Sequence, residues 1–328
     1  MSYESLIPLL KKKGSLLTPE KFQERINIVF HDNEANLYDK MHVDMWESLQ
    51  EQINLLVDDL YKNESIPANK INLLDIGCGT GLSTQILINS KLGSHIDSIT
   101  LLDTSSNMLK YAEEKAKNWN KKYTIVNSYV SDLKEKYDCI IICSVLHHIP
   151  DLNLFLSQVN NVLNPGGILI HLQDPNGDYL NDANYLERMR AYKNEMDSMP
   201  KNKKIADMIP KKWKQYINRQ LGRKTYIDLV NDQLIAEKAI KKRMSADEIW
   251  SVTDIHVETK SNSINKGISL QYLNKQLSNF KLINQRSYGF YGALKSDLNT
   301  KYRTKEDKYI SDNELSGRNI SCIWIKNN

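Results

Sequence analysis

The chain has 328 residues, 41% of them hydrophobic, and its 44 basic and 40 acidic side chains leave a net charge of +4. That apolar content suffices for a packed core without disulfides, and no apolar run approaches the ~20 residues needed to cross a bilayer. The four cysteines, Cys78, Cys139, Cys143 and Cys322, form no C-x-x-C pair, which argues against a zinc site and fits reduced thiols in a cytoplasmic protein.

The first ten residues are apolar in patches, but Lys11-Lys12-Lys13 follows them. A secretory signal has the opposite order. Trp46, Leu49, Ile53, Leu56 and Leu60 recur at spacings of three and four and predict an amphipathic helix. Ile71–Leu74 predicts a strand, and Asp75-Ile76-Gly77-Cys78-Gly79-Thr80-Gly81 a glycine-rich turn that opens a helix over Leu82–Ile88. Glycine has no Cβ, so a ligand can approach such a backbone closely. Amide N–H groups at the helix entry then face it. The next strand, Ser98–Leu102, ends in Asp103, a carboxylate placed to accept from two ribose hydroxyls. Ser105 or Ser106 caps the following helix, and Met108 can lie against a purine. The turn reads G-x-G-x-G rather than G-x-G-x-x-G, which sets a dinucleotide dehydrogenase aside.

A further strand, Asp138–Cys143, runs into Ser144-Val145-Leu146-His147-His148-Ile149-Pro150-Asp151. A helix ends at Leu163, the turn Asn164-Pro165-Gly166-Gly167 follows, and Ile168–Leu172 predicts the fifth strand. Asp174–Asp178 is a turn. From there to about Thr253 the chain reads helical. Within it, residues 201–224 carry nine basic side chains against one acid, Asp207. The favoured reading is a solvated helical face. The alternative is contact with a phosphate, a nucleic acid or an anionic membrane. A helix over Gly267–Leu273, a strand over Phe280–Gly292 and a last strand over Ile320–Ile325 complete the pattern.

The segments DIGCGTG, Asp103 with Met108 five positions on, YDCIIICSVLHHI and LNPGGILI together resemble the successive motifs of class I S-adenosylmethionine-dependent methyltransferases. The nearest flavour is the small-molecule, ubiquinone-type (type 11-like) group. The specific match spans roughly residues 70–174. The resemblance implies an α/β fold: a Rossmann-like, doubly wound, seven-stranded sheet of order 3-2-1-4-5-7-6 with the last strand antiparallel. It implies an N-terminal helical cap over 1–64, a cofactor core over 65–174, a helical insertion over 175–255 on the substrate side, and a C-terminal part, 256–328, that completes the sheet. The insertion would serve as a lid or, alternatively, as a homodimer contact.

For the cofactor, S-adenosyl-L-methionine, the resemblance assigns Asp75, Gly77, Cys78, Gly79 and Gly81 to the turn, Asp103 to the ribose, and Thr104 and Met108 beside it. The family usually places an acidic residue against the adenine amino group. Here Tyr129 stands at that place, leaving the Val130 backbone, Ser128 or Asp132 for adenine. Cys143 lies near the expected mouth. For acid–base work the candidates are His148 and His147, which follow the fourth strand, and more weakly His256. His31, His42 and His171 read as structural. A metal pair of His171 and Asp174 is disfavoured, and no metal is expected. Candidate substrate contacts are Tyr38, in an Ala-x-x-Tyr-Asp pattern like the family's cap, with His148, Tyr179 and Tyr288. Trp46, Tyr185 and Tyr291 are further aromatics near the expected pocket, and an aromatic on a strand or helix is more often core. The expected reaction is methyl transfer to an oxygen or nitrogen of a small molecule, with no nucleic-acid partner and no membrane span. The rivals are an RNA or protein methyltransferase using 201–224 and a non-catalytic S-adenosylmethionine-binding module.

Overall fold

In the computed structural model the described residues are 3–63, 70–179, 182–198, 224–257 and 267–328. Of the basic stretch 201–224, all but Lys224 lies outside them. Seven strands, β1 (Ile71–Ile76), β2 (Ile96–Asp103), β3 (Lys122–Asn127), β4 (Tyr137–Cys143), β5 (Leu163–Pro175), β6 (Phe280–Tyr288) and β7 (Asn319–Lys326), form one sheet of order β3-β2-β1-β4-β5-β7-β6. The first five are parallel, and β7 runs antiparallel between β5 and β6. This is the order expected from the sequence. The strand expected to run to Gly292 ends at Tyr288, because Gly289 and Gly292 take φ values of +76° and +71° and turn the chain.

Side chains alternate across the sheet with period two. Leu73, Ile141 and Ile170 face one side, where they pack against α3 (Val43–Asn63), α4 (Leu82–Ile88) and α5 (Ser106–Ala116). Leu74, Ile140 and Leu169 face the other, against α6 (Leu152–Val162) and α10 (Leu270–Gln276). The stripe Leu49, Ile53, Leu56 and Leu60 is the buried face of α3. Both faces of the parallel strands are thus covered, as near-continuous apolar runs require.

A third core is separate from the sheet. Phe22, Ile26 and Val29 of α2 (Pro19–Met41) pack against Val230 and Leu234 of α8 (Tyr226–Ala236) and Ile249 and Val252 of α9 (Ala246–Thr253). The α2 helix starts at Pro19, with the Thr18 side chain accepting from the Lys21 amide. Polar bonds tie the same elements together. The buried Lys13 ammonium, at the end of α1 (Ile7–Lys13), donates to Glu248 Oε2 at 2.7 Å and to the Arg243 carbonyl at 2.8 Å. The segment before the sheet and the segment after β5 therefore share one core. Among the described residues no helix is long and apolar enough to cross a membrane.

Candidate active site

A cavity of about 650 Å³ opens at the carboxyl ends of β1, β2 and β4, under α2. Doubly wound sheets bind ligands at this switch point, and pockets for small molecules have this size. Its floor is the glycine turn. Gly77 and Gly79 line it with φ values of +65° and +52°. A Cβ on Gly77 would meet Val145 Cγ2 at 2.5 Å, whereas one on Gly79 would project into open space. The turn is held from beneath by Asp75, which is fully buried and accepts from Ser83 and Thr84 hydroxyls at 2.7 and 2.5 Å. Burial pushes its carboxyl up to about 7. Asp75, Cys78 and Gly81 stand behind the cavity wall rather than on it.

Asp103, at the end of β2, does line the cavity. Its Oδ2 accepts from the Gly79 amide and its Oδ1 from the Ser105 amide, each at 2.8 Å. A carboxylate has about four acceptor sites, so two remain for ligand hydroxyls. Burial raises the Asp103 carboxyl, and these two amides oppose that. Thr104, Met108, Tyr129, Val130, Ser128 and Cys143 share the wall. The Tyr129 hydroxyl donates to Glu24 Oε1 at 2.6 Å, and Asp132 is turned back onto the Tyr129 amide at 3.3 Å, off the wall. Burial pushes the Cys143 thiol well up, which keeps it protonated. All four cysteines are unpaired thiols. A carboxylate beside a glycine turn with open space at Gly79 suits a ligand with vicinal hydroxyls, as an adenosyl group has. The residues fit S-adenosylmethionine.

The histidines after β4 divide by their partners. Ser144 takes φ +61° and Gln173 φ +67°, so both chain exits turn sharply. These turns set Asp174 under the Leu146–His147 backbone. Asp174 Oδ1 accepts from the His147 amide at 2.9 Å and lies 2.5 Å from His147 Nδ1. Its Oδ2 lies 3.3 Å from the Leu146 amide and 2.7 Å from His171 Nε2. Burial would raise this carboxyl, but the two histidines win and hold it well below the usual range. His147 lines the cavity with its Nδ1 engaged by Asp174. His148 lies beside it, ring centroids 3.9 Å apart. Its Nδ1 meets the Thr253 carbonyl at 2.9 Å and Asp254 Oδ1 at 3.3 Å. Burial alone would lower His148, yet Asp254 and Thr253 raise it above its ordinary value.

His256 is turned away from the cavity, with Nε2 2.8 Å from the Ile149 carbonyl. Tyr179 and Tyr288 are also off the wall. Tyr288 is buried at the end of β6, three strands from β4, with its hydroxyl on Gln173, and Tyr179 packs edge-on against Tyr185. Tyr38 does line the cavity, half-buried.

The sequence reading left out most of what α2 contributes. His31, Glu34, Tyr38 and His42 follow one another at helical spacing and all line the cavity. The spacing was there to read. Burial works against the Glu34 carboxylate, but His31 and His42, each 3.6 Å away, hold it down to about 2. Asp39 accepts from the Thr80 hydroxyl at 2.6 Å and pairs with Lys115 at 2.7 Å, and Asp32 accepts from the Ser105 hydroxyl at 2.6 Å. The Gln23 amide donates to the His148 carbonyl at 3.0 Å. The α2 helix is therefore bolted to the glycine turn, to the start of α5 and to the histidine turn.

Residues 74–169 match the family model of a methyltransferase domain. A curated relative, the ubiquinone biosynthesis O-methyltransferase of Pelagibacter ubique (strain HTCC1062), is 28% identical over 118 residues, 35% of this chain and 47% of that protein. The hybrid PKS-NRPS synthetase iliA of Neonectria sp. (strain DH2) is 30% identical over 147 residues, 43% of this chain but 4% of the synthetase. Among solved structures, an S-adenosylmethionine-dependent methyltransferase from Clostridium acetobutylicum ATCC 824 aligns at 14% identity and TM-score 0.44, over 90% of this chain and 98% of that one. Residues 74–169 therefore form a methyltransferase domain, set in a sheet of order β3-β2-β1-β4-β5-β7-β6.

Proposed function

We propose that the chain transfers a methyl group from S-adenosylmethionine to an oxygen or nitrogen of a small-molecule acceptor, leaving S-adenosylhomocysteine. The observation that carries this reading is His147, held from behind by Asp174, on the wall of the cavity that Asp103 and the glycine turn also line. The cofactor, when bound, supplies the electrophilic methyl group. The chain supplies position, exclusion of water and a proton acceptor.

Asp103 and the Gly77–Gly79 backbone would hold the nucleoside side, with Met108, Tyr129 and Val130 around the base. His147 Nε2 is the atom placed to take the acceptor's proton, and Asp174 fixes the tautomer that leaves that nitrogen's lone pair available. His148 is already paired with Asp254 and has its value raised, so it serves as a donor to the acceptor rather than as the base. The cap made by α2, α8 and α9 would cover the acceptor, and their shared core supports a single lid built from both segments. The likeness to the ubiquinone biosynthesis O-methyltransferase of Pelagibacter ubique supports a small acceptor.

The test is incubation of the full chain with methyl-labelled cofactor and separate small-molecule, RNA and protein fractions of a cell extract. The reading expects label in a small molecule that gains one methylene in mass. Label confined to RNA or protein would replace it, and no label in any fraction would favour a binding module.

A further inference from the structure

The histidines His31, His42, His147 and His148 and the carboxylates of Glu34 and Asp254 line this cavity, more donors than a single proton transfer uses. We propose that this wall binds one divalent transition-metal ion, with Zn²⁺ as its probe, through His147 Nε2, a ring nitrogen of His148 and a carboxylate oxygen of Asp254.

One ligand atom from each of these three residues lies within 4.8 Å of the others. An ion bonded at about 2.0–2.2 Å draws its donors to roughly 3–3.5 Å apart, so small side-chain rotations close the set. Two imidazoles and one carboxylate with open positions suit zinc and its first-row neighbours. A second observation is independent of that clustering. His147 Nδ1 is held by Asp174 at 2.5 Å, and a metal-bound histidine nearly always has its other nitrogen so held. Asp174 is itself fixed by two backbone amides and His171. Further donors stand within reach. The His31 ring lies edge-on to His148 with centroids 5.0 Å apart, and Glu34 lies 3.6 Å from His31. No lysine or arginine among the described residues lines the cavity to compete for the carboxylates.

The consequence is a switch. One lone pair on His147 Nε2 cannot both hold a metal and accept a proton, so the zinc-loaded chain binds S-adenosylmethionine but transfers no methyl group. The metal site stands by itself, while the inhibition rests on the function proposed above.

The test is equilibrium dialysis of the full chain against Zn²⁺ with metal analysis, alongside a Co²⁺ titration followed by visible absorption. One ion per chain is expected. Asp254→Asn and His148→Gln should each weaken Zn²⁺ binding by about tenfold or more, with S-adenosylmethionine affinity reporting that the fold is intact. The zinc concentration for half-inhibition should rise by the same factor. No stoichiometric binding by the wild type, or wild-type affinity in both variants, overturns the site. Stoichiometric zinc that leaves turnover untouched keeps the site and removes His147 as the base.

Discussion

His147 Nδ1 and Asp174 Oδ1 are 2.5 Å apart although 27 residues separate them. The contact exists because β4 and β5 are neighbours, in a register that pairs Cys143 with Leu172. Each strand then delivers its next residues to the same corner of the cavity.

That relationship makes the first prediction. A positioned general base contributes about 10²–10⁴-fold. His147→Ala should therefore lower turnover about 100-fold or more with S-adenosylmethionine affinity preserved, and His148→Ala should cost less. Steady-state rates with isothermal titration of the cofactor decide it. Equal turnover in His147→Ala and wild type would remove the residue from the chemistry.

Asp174 accepts four bonds, the full capacity of a carboxylate. An asparagine offers one oxygen and sets an NH₂ against groups that donate. Asp174→Asn should cost about 1–3 kcal/mol for each contact left unpaired, seen as a lower urea midpoint, and should lose turnover because the His147 tautomer is no longer fixed. A stable, fully active variant would show that the pair is only packing.

The two cavity glycines separate backbone strain from ligand space. Gly77→Ala meets Val145 Cγ2 at 2.5 Å as well as the φ penalty, so it should destabilise the fold. Gly79→Ala meets nothing within 4 Å, so its cost should be about 1–2 kcal/mol for the left-handed backbone. Its larger effect should be on S-adenosylmethionine affinity, because its methyl group enters the cavity. Thermal melts with and without cofactor distinguish the two.

Away from the site, Glu306 on α11 (Thr300–Ser311) is buried and accepts from the Gly289 and Phe290 amides. Burial raises its carboxyl from 4.5 to about 7 despite those bonds. An acid raised on folding binds more protons folded than unfolded between those values, so its contribution is full below about 4.5 and is lost as pH rises through about 7. The loss is about 3 kcal/mol in order of magnitude. Glu306→Gln should flatten this fall in stability between pH 4.5 and 7, measured by denaturant midpoints across that range. An unchanged pH slope would contradict the assignment.

Most of the sheet was legible because β1, β2, β4, β5 and β7 carry short apolar runs, and the glycine turn and Asp103 needed only local order; β3 (Lys122–Asn127), a half-exposed edge strand, carries no such run. Contacts between distant segments were not. Tyr179, Tyr288 and His256 looked available by type, but strand order and backbone carbonyls turn them from the cavity. Asp174 gains its role only through the β4–β5 pairing. His31, Glu34 and His42 were visible at helical spacing, yet nothing local says which face of α2 meets the sheet; the third core decides that.

The central claim is that one crevice holds the adenosyl ligand between the glycine turn and Asp103, with its sulfur facing His147. A crystal structure of the chain with S-adenosylhomocysteine tests it most directly. The account predicts ribose hydroxyls hydrogen-bonded to the Asp103 carboxylate and sulfur on the His147 side. Ligand bound elsewhere, or an empty crevice at saturating ligand, would contradict it.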